Sequence, residues 1–149
     1  MRMCAGGKGA RGFSLVEVLV VLVIMGLLVS IVAPTVLNQA DDARIKKARA
    51  DFKAIETALK IYRLDNYVYP STEQGLEALV SPSAIDPIPR NFKTGGYLGE
   101  VPRDPWDRPY LYLSPGDRGE VDIYTLGADG LAGGDAQNAD IGNWSEDES

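Results

Sequence analysis

The sequence predicts an α+β fold in which one long N-terminal helix, apolar in its first half and amphipathic in its second, packs on a small C-terminal antiparallel β-sheet. Three observations predict it. Residues 13–33 carry a single ionisable side chain, Glu17. Ile45, Ala48, Phe52, Ile55, Leu59 and Tyr62 then recur at alternating steps of three and four, the period of one helical face. Beyond Asn66 the chain becomes rich in Pro, Gly and Asp, and two short apolar runs, 110–113 and 121–126, flank Ser114-Pro115-Gly116-Asp117-Arg118-Gly119. Strand, turn and strand in that order read as a hairpin.

The first element follows from length and hydropathy. At about 1.5 Å per residue, residues 13–33 form a helix of roughly 30 Å, the thickness of a bilayer's hydrocarbon core. A transmembrane segment is expected over 13–34, and hydropathy alone does not separate it from an ordinary signal anchor. Its flanks do. Arg2, Lys8 and Arg11 precede the run, whereas residues 61–149 hold 6 Lys/Arg against 16 Asp/Glu within a net charge of -6. A basic leader and an acidic far end suit a chain that keeps its N-terminus in the cytoplasm. The same acidity argues against nucleic acid as a partner, since that requires a basic face.

A secretory signal places its small-residue cleavage site after the apolar core. Here Gly12 comes before it, and residues 29–34 offer only a weak site. Cys4 also precedes the run, so a lipoprotein signal does not fit. Being the single cysteine, it also excludes an intramolecular disulfide. With no histidine in 149 residues, Ser-His-Asp and Cys-His catalysis are excluded, as are metal sites that need imidazole.

Glu17 is the anomaly of the apolar helix. A carboxylate there costs on the order of 2.5–3.5 kcal/mol at a bilayer's centre and less near its edge, so it calls for a partner. Gly26 and Ser30 are small enough to permit close helix contact, or are incidental. Pro34 removes a backbone donor and predicts a kink or a locally melted stretch. The amphipathic helix follows over 35–65, its apolar stripe directed at the body's own sheet.

The body spans 66–149. Tyr69-Pro70 reads as an extended step followed by a short helix capped by Ser71 or Thr72. The proline-rich stretch 81–92 is expected to be an ordered loop, with Ile85, Ile88 and Phe92 to bury. Near the C-terminus, residues 126–144 combine glycines with Asp129, Asp135 and Asp140. Such a loop is either a solvated acidic loop or a set of hard oxygen ligands of the kind calcium requires, without the spacing of an EF-hand.

Gly12-Phe13-Ser14-Leu15-Val16-Glu17 followed by an apolar run is similar to the prepilin signature of type IV pilins and pseudopilins. Four further stretches resemble the major pseudopilins of type II secretion systems: Tyr69-Pro70 with Thr72-Glu73-Gln74-Gly75-Leu76, Gly95-Gly96-Tyr97-Leu98, Asp104-Pro105-Trp106-Asp107-Arg108-Pro109-Tyr110, and the C-terminal loop. The resemblance implies a type IV pilin-like fold and a leader, 1–12, cut between Gly12 and Phe13 by a prepilin peptidase, with N-methylation of Phe13. Glu17 would then face the new terminal amine and set subunit register. It implies a homopolymeric periplasmic filament that helps drive folded proteins across the outer membrane. Minor pseudopilins and an inner-membrane assembly platform are the implied partners, with inner-membrane lipid around the helix before assembly.

The C-terminal cysteine pair common in type IVa pilins is absent, and the resemblance implies structural calcium in its place. The implied ligands are the Asp129 and Asp140 carboxylates with the carbonyls of Leu126 and Leu131, and Asp135 and Asn138 stand in reserve. Some family members carry two adjacent acidic residues where this chain has Ala139 and Asp140, so one ligand would come from elsewhere. Two alternatives remain at this stage. One is a minor pseudopilin or a type IV pilin for adhesion or motility. The other is a calcium-dependent hydrolase using Asp104 and Asp107 or Glu73 and Glu77, against which stands the plainer reading of turn chemistry and one exposed helical face. The favoured expectation is a structural subunit with no enzymatic activity.

Overall fold

The computed structural model describes residues 12–146, with side chains given except for 32–38 and 145–146. The leader expected over 1–12 lies outside the described residues apart from Gly12. The chain divides into two compact units, residues 1–40 and 41–149. Helix α1, Leu15–Asn66, supplies 52 residues to the two.

In the first unit the helix opens with the Val18 N–H donating to the Ser14 carbonyl at 3.2 Å. Its apolar side chains from Leu15 to Ile31 are exposed on every side, Leu15 at 77% and Ile31 at 70%. Ser30 turns its hydroxyl back onto the Leu27 carbonyl at 2.7 Å, and a Cβ added at Gly26 would meet nothing within 4 Å. Among the described residues no helix is long and apolar enough to cross a membrane. The run with described side chains stops at Ile31, and the sequence continues it through Val32 and Ala33. α1 is helical without a break through Pro34, so the melted stretch expected there is absent. One proline removes one backbone bond and displaces one carbonyl, and the bonds on either side suffice to carry a helix past it.

In the second unit the amphipathic stripe does what its period predicts. Ala48, Phe52, Ile55, Leu59 and Tyr62 are at most 3% exposed, and Ile45 packs partly buried at the end of the row. They meet Leu76 and Leu79 of a 3-10 helix, Leu76–Leu79. The sheet closes the core with Tyr110, Tyr112, Val121, Ile123 and Ile141. Each large side chain so buried contributes about 1.5–3 kcal/mol.

The sheet has three strands, β1 (Leu111–Leu113), β2 (Asp122–Thr125) and β3 (Ile141–Gly142), in the order β1-β2-β3. β1 and β2 form the expected antiparallel hairpin, with Tyr112 opposite Ile123. Its turn is tied by the Asp122 carboxylate, which accepts the N–H groups of Asp117, Arg118 and Gly119 at 2.7, 3.0 and 3.1 Å. β3 pairs antiparallel with β2, placing Tyr124 opposite Gly142 and Thr125 opposite Ile141.

Polar side chains fasten these elements to α1. Asp51 accepts the Tyr110 hydroxyl at 2.7 Å and the Lys47 ammonium at 2.7 Å. Asn143 donates to Glu56 at 2.9 Å and to the Val121 carbonyl at 3.2 Å, and accepts the Ile123 N–H at 3.2 Å. Arg63 pairs with Glu120 at 2.8 Å and lies over the Tyr69 ring at 4.9 Å.

Two local expectations are corrected. Ser71 and Thr72 do not cap the short helix, whose N-cap is Gly75 with no side-chain bond. Ser71 instead exchanges bonds with Gln74 over one turn, at 2.8 and 3.3 Å, while Thr72 bonds Ser114 in the hairpin turn at 2.8 and 3.2 Å. The loop 81–92 is ordered, but Ile85 and Ile88 do not bury, being 45% and 60% exposed. Buried Gln74 holds it by donating to the Ile85 and Pro87 carbonyls at 2.6 and 2.9 Å, and Asn66 accepts the Asn91 N–H at 3.0 Å. Phe92, half-buried, packs edge-on against Tyr97 at 5.4 Å.

The core tyrosines give this body an alkaline limit. Burial first, then the bond to Asp51, pushes the Tyr110 hydroxyl far above the usual tyrosine range. Burial likewise raises Tyr112, to about 12. Both folded-state values exceed the unfolded value of about 10, so their contribution to stability is complete below pH 10 and is lost as pH rises through the folded values. The denaturant midpoint is expected to fall between pH 10 and 12, with native absorbance at pH 11 showing fewer tyrosinates than the denatured chain. A single common titration near pH 10 in the native protein would contradict the burial argument.

Candidate functional site

Two regions carry the residues singled out by the sequence, one in each unit. In the first, Gly12 and Phe13 precede α1 in exposed, non-helical backbone, and Phe13 is 81% exposed. Glu17 occupies the first turn of α1, where a carboxylate complements the helix dipole. It is exposed and makes no ion pair or hydrogen bond among the described residues. Among the described residues the surface around it is apolar.

The second region is the loop between β2 and β3. It is closed upon itself at Gly127, whose φ is +61° and where a Cβ would sit 2.6 Å from the carbonyl carbon and oxygen of Asn138 and 2.8 Å from the oxygen of Ala139. Only glycine permits this approach in this conformation. Ala128 donates to the Gln137 carbonyl at 2.9 Å, so the two arms of the loop run side by side.

The predicted ligands divide between the arms. The Leu126 carbonyl accepts the Gly130 N–H at 3.2 Å, which leaves it a second lone pair. Asp129 is exposed, and its Oδ1 accepts the Leu131 N–H at 3.0 Å. Leu131 itself is 68% exposed. On the other arm Asp135 is exposed and precedes a short 3-10 turn, Ala136–Asn138. Asp140 Oδ2 accepts the Gly133 N–H at 2.9 Å, while its Oδ1 is buried with no hydrogen-bond partner. A buried, unpartnered carboxylate oxygen is costly unless a cation meets it. Among the described residues no three acidic side chains gather into a metal cluster; the expected set needs only two, with carbonyls for the rest. The donors are all hard oxygens, and the orphaned Asp140 oxygen fits a calcium ion.

One contact of this loop is absent from the sequence reading. Arg108, on the turn before β1, donates through Nη2 to the Gly127 carbonyl. The same guanidinium pairs with Asp104 Oδ2 at 3.2 Å, where the carboxylate is 1% exposed. Asp104 also accepts the Thr125 hydroxyl at 2.6 Å and the N–H groups of Trp106 and Arg108 at 2.9 and 2.7 Å. The sequence signal was Asp-Pro-Trp-Asp-Arg-Pro, which marks a turn but not what the arginine reaches.

This geometry also disposes of the carboxylate pairs considered for hydrolysis. Asp104 is consumed by structural bonds, whereas the Asp107 side chain is 89% exposed beside Arg103 at 3.8 Å. Glu73 and Glu77 are both exposed. Neither pair forms a shared, enclosed site.

A helix apolar all round in its first half, joined to a small α+β body, is the architecture of a pilin-like subunit. Residues 35–144 match the family described as type II secretion system (T2SS), protein G, and residues 7–33 match the prokaryotic N-terminal methylation motif. The type II secretion system core protein G of Pseudomonas aeruginosa is 52% identical over 133 residues, 89% of this chain and 94% of that protein. That of Vibrio cholerae is 54% identical over 133 residues, 89% of this chain and 90% of its own length. The crystal structure of the major pseudopilin of enterohaemorrhagic Escherichia coli is similar with a TM-score of 0.66 and 43% identity, covering 73% of this chain and 93% of that one. The chain belongs to the type II secretion protein G family, the major pseudopilins.

Proposed function

We propose that this chain is the major structural subunit of a type II secretion pseudopilus. A prepilin peptidase removes residues 1–12 and Phe13 becomes the methylated N-terminus. The segment 13–34 sits in inner-membrane lipid with the body in the periplasm, then leaves the bilayer to pack against copies of itself. Growth of that filament above an inner-membrane platform, with minor pseudopilins at hand, helps move folded proteins across the outer membrane.

The observation that carries this reading is the first half of α1, exposed and apolar on every side with one carboxylate in its first turn. Such a surface requires hydrocarbon or other copies around it, and in each setting the charge must be answered. Structural calcium is part of the proposal. Held by Asp129, Asp140 and the carbonyls of Leu126 and Leu131, the ion supplies positive charge that locks the two arms of the C-terminal loop, a task a disulfide performs in related folds.

The test is overproduction of the full chain in cells that carry the peptidase and the assembly platform. Mass spectrometry of the extracted protein is expected to show a chain beginning at methylated Phe13, and electron microscopy to show filaments labelled by antibody to the body. Retention of residues 1–12 in such cells, or processed protein that never polymerises, would overturn the assignment.

A further inference from the structure

We propose that Arg108 is a positioning residue for the cation site, holding the first arm of the 126–140 loop in its binding geometry before any metal arrives. The inference rests on the calcium reading above and adds to it a division of labour within the loop.

Without an ion, the two arms are held in different ways. The first arm, 126–130, is bonded to the body by a charged donor, since the Arg108 guanidinium bridges the Asp104 carboxylate and the Gly127 carbonyl. The anchor is itself anchored: Asp104 is buried, and Thr125 at the end of β2 and two backbone N–H groups hold its carboxylate in place. Trp106 supports the guanidinium from one side, with its ring centroid 5.7 Å from Arg108 Cζ. Gly130, at φ +70°, leaves the space this requires, because a Cβ there would collide with Arg108 Nη1.

The bonds of the second arm come from neutral backbone donors, the Ala128 N–H onto the Gln137 carbonyl at 2.9 Å, the Asn138 N–H onto the Asp135 carbonyl at 3.1 Å and the Gly133 N–H onto Asp140 at 2.9 Å. Residues 131–137 are exposed throughout, and Asp140 ends this arm with its buried Oδ1 unpartnered. The ion's work is therefore to bring the second arm onto a first arm already in place. A site half assembled beforehand binds more tightly than one in which both arms must be ordered, because less chain entropy is lost on binding. Arg108 touches no expected ligand atom; it acts by fixing Gly127, between the Leu126 carbonyl and Asp129.

The experiment uses the full chain in detergent, with calcium binding measured by titration and loop order by hydrogen exchange, in calcium and in chelator. In the parent protein the Gly130 amide, bonded within the first arm to the Leu126 carbonyl, is expected to stay protected in chelator, while amides of 134–137 exchange freely until calcium is added. Arg108→Lys keeps a cation beside Asp104, so the buried carboxylate stays paired, but an ammonium does not span both acceptors as the planar fork does. Its expected signature is calcium affinity weakened about tenfold, the order of one lost charged hydrogen bond. Exchange at Gly130 should rise in chelator, with the rest of the body unchanged. Arg108→Met should lose more affinity than Arg108→Lys.

A purely structural arginine predicts something else: a lower melting temperature in both conditions and an unaltered calcium affinity. That result, with the parent still responding to calcium, overturns this proposal alone. A parent protein with no calcium response overturns the calcium reading and this proposal together.

Discussion

Glu17→Ala is expected to insert into the membrane and to be processed at Gly12-Phe13 like the parent, yet to form filaments at less than a tenth of the parental yield. The substitution removes the one charge from the described apolar half of α1, so insertion becomes easier by up to about 3 kcal/mol, depending on depth. Assembly moves the other way. Glu17 makes no bond among the described residues, and its exposed position four residues beyond Phe13 suits the partner proposed for it, the terminal amine that cleavage before Phe13 would create.

In a bundle of apolar helices many registers bury similar hydrocarbon. Pairing a carboxylate with an ammonium at one register, and stranding both charges at every other, discriminates by several kcal/mol because an unpaired buried charge is so costly. Alanine abolishes the discrimination without touching the body, whose melting curve should not move. Membrane fractionation and counts of labelled filaments measure the two effects separately, and normal filaments from Glu17→Ala would defeat the register role.

The parts of this molecule legible in the sequence are those where one physical pattern dominates over many residues. The stripe from Ile45 to Tyr62 is one, since six positions at helical period admit one buried face, and five of them are nearly inaccessible. The hairpin is another, because turn chemistry between two apolar runs fixes both the pairing and its direction. Illegible were features made by single long-range contacts. β3 is two residues long and reads as more of the glycine loop. Ile85 and Ile88 looked like the reason for an ordered loop, whereas one buried glutamine, Gln74, holds it by its carbonyls. Pro34 predicted a kink or a melted stretch; the helix does not melt there, because a long helix tolerates one missing bond. In the loop 126–140 the aspartates were visible in the sequence, whereas the bond that pins the first arm, from Arg108 to the Gly127 carbonyl, joins residues brought together by the fold.

Removing calcium should affect stability more than any single surface substitution. An ion that binds only the folded state at a hundredfold excess over its dissociation constant stabilises by about 2.7 kcal/mol. For a body of this size each kcal/mol is worth roughly 4–8 °C, so chelation is expected to lower the melting temperature by about 10–20 °C. Proteases should then cut within 131–139, the exposed arm. The particular oxygen responsible is testable with Asp140→Asn. The amide keeps an acceptor for the Gly133 N–H and places a neutral group where Oδ1 lies buried without a partner. The charge that answers the ion is gone while the local bond survives. This variant should therefore melt in calcium where the parent melts in chelator, and adding chelator should move it no further. Magnesium is not expected to substitute, since it demands a tighter octahedral shell than a loop of carbonyls and two carboxylates provides. If the parent melts at one temperature with calcium and with chelator, the buried Asp140 oxygen must be met in some other way, and the loop is held by Arg108, its glycine crossing and its own backbone bonds.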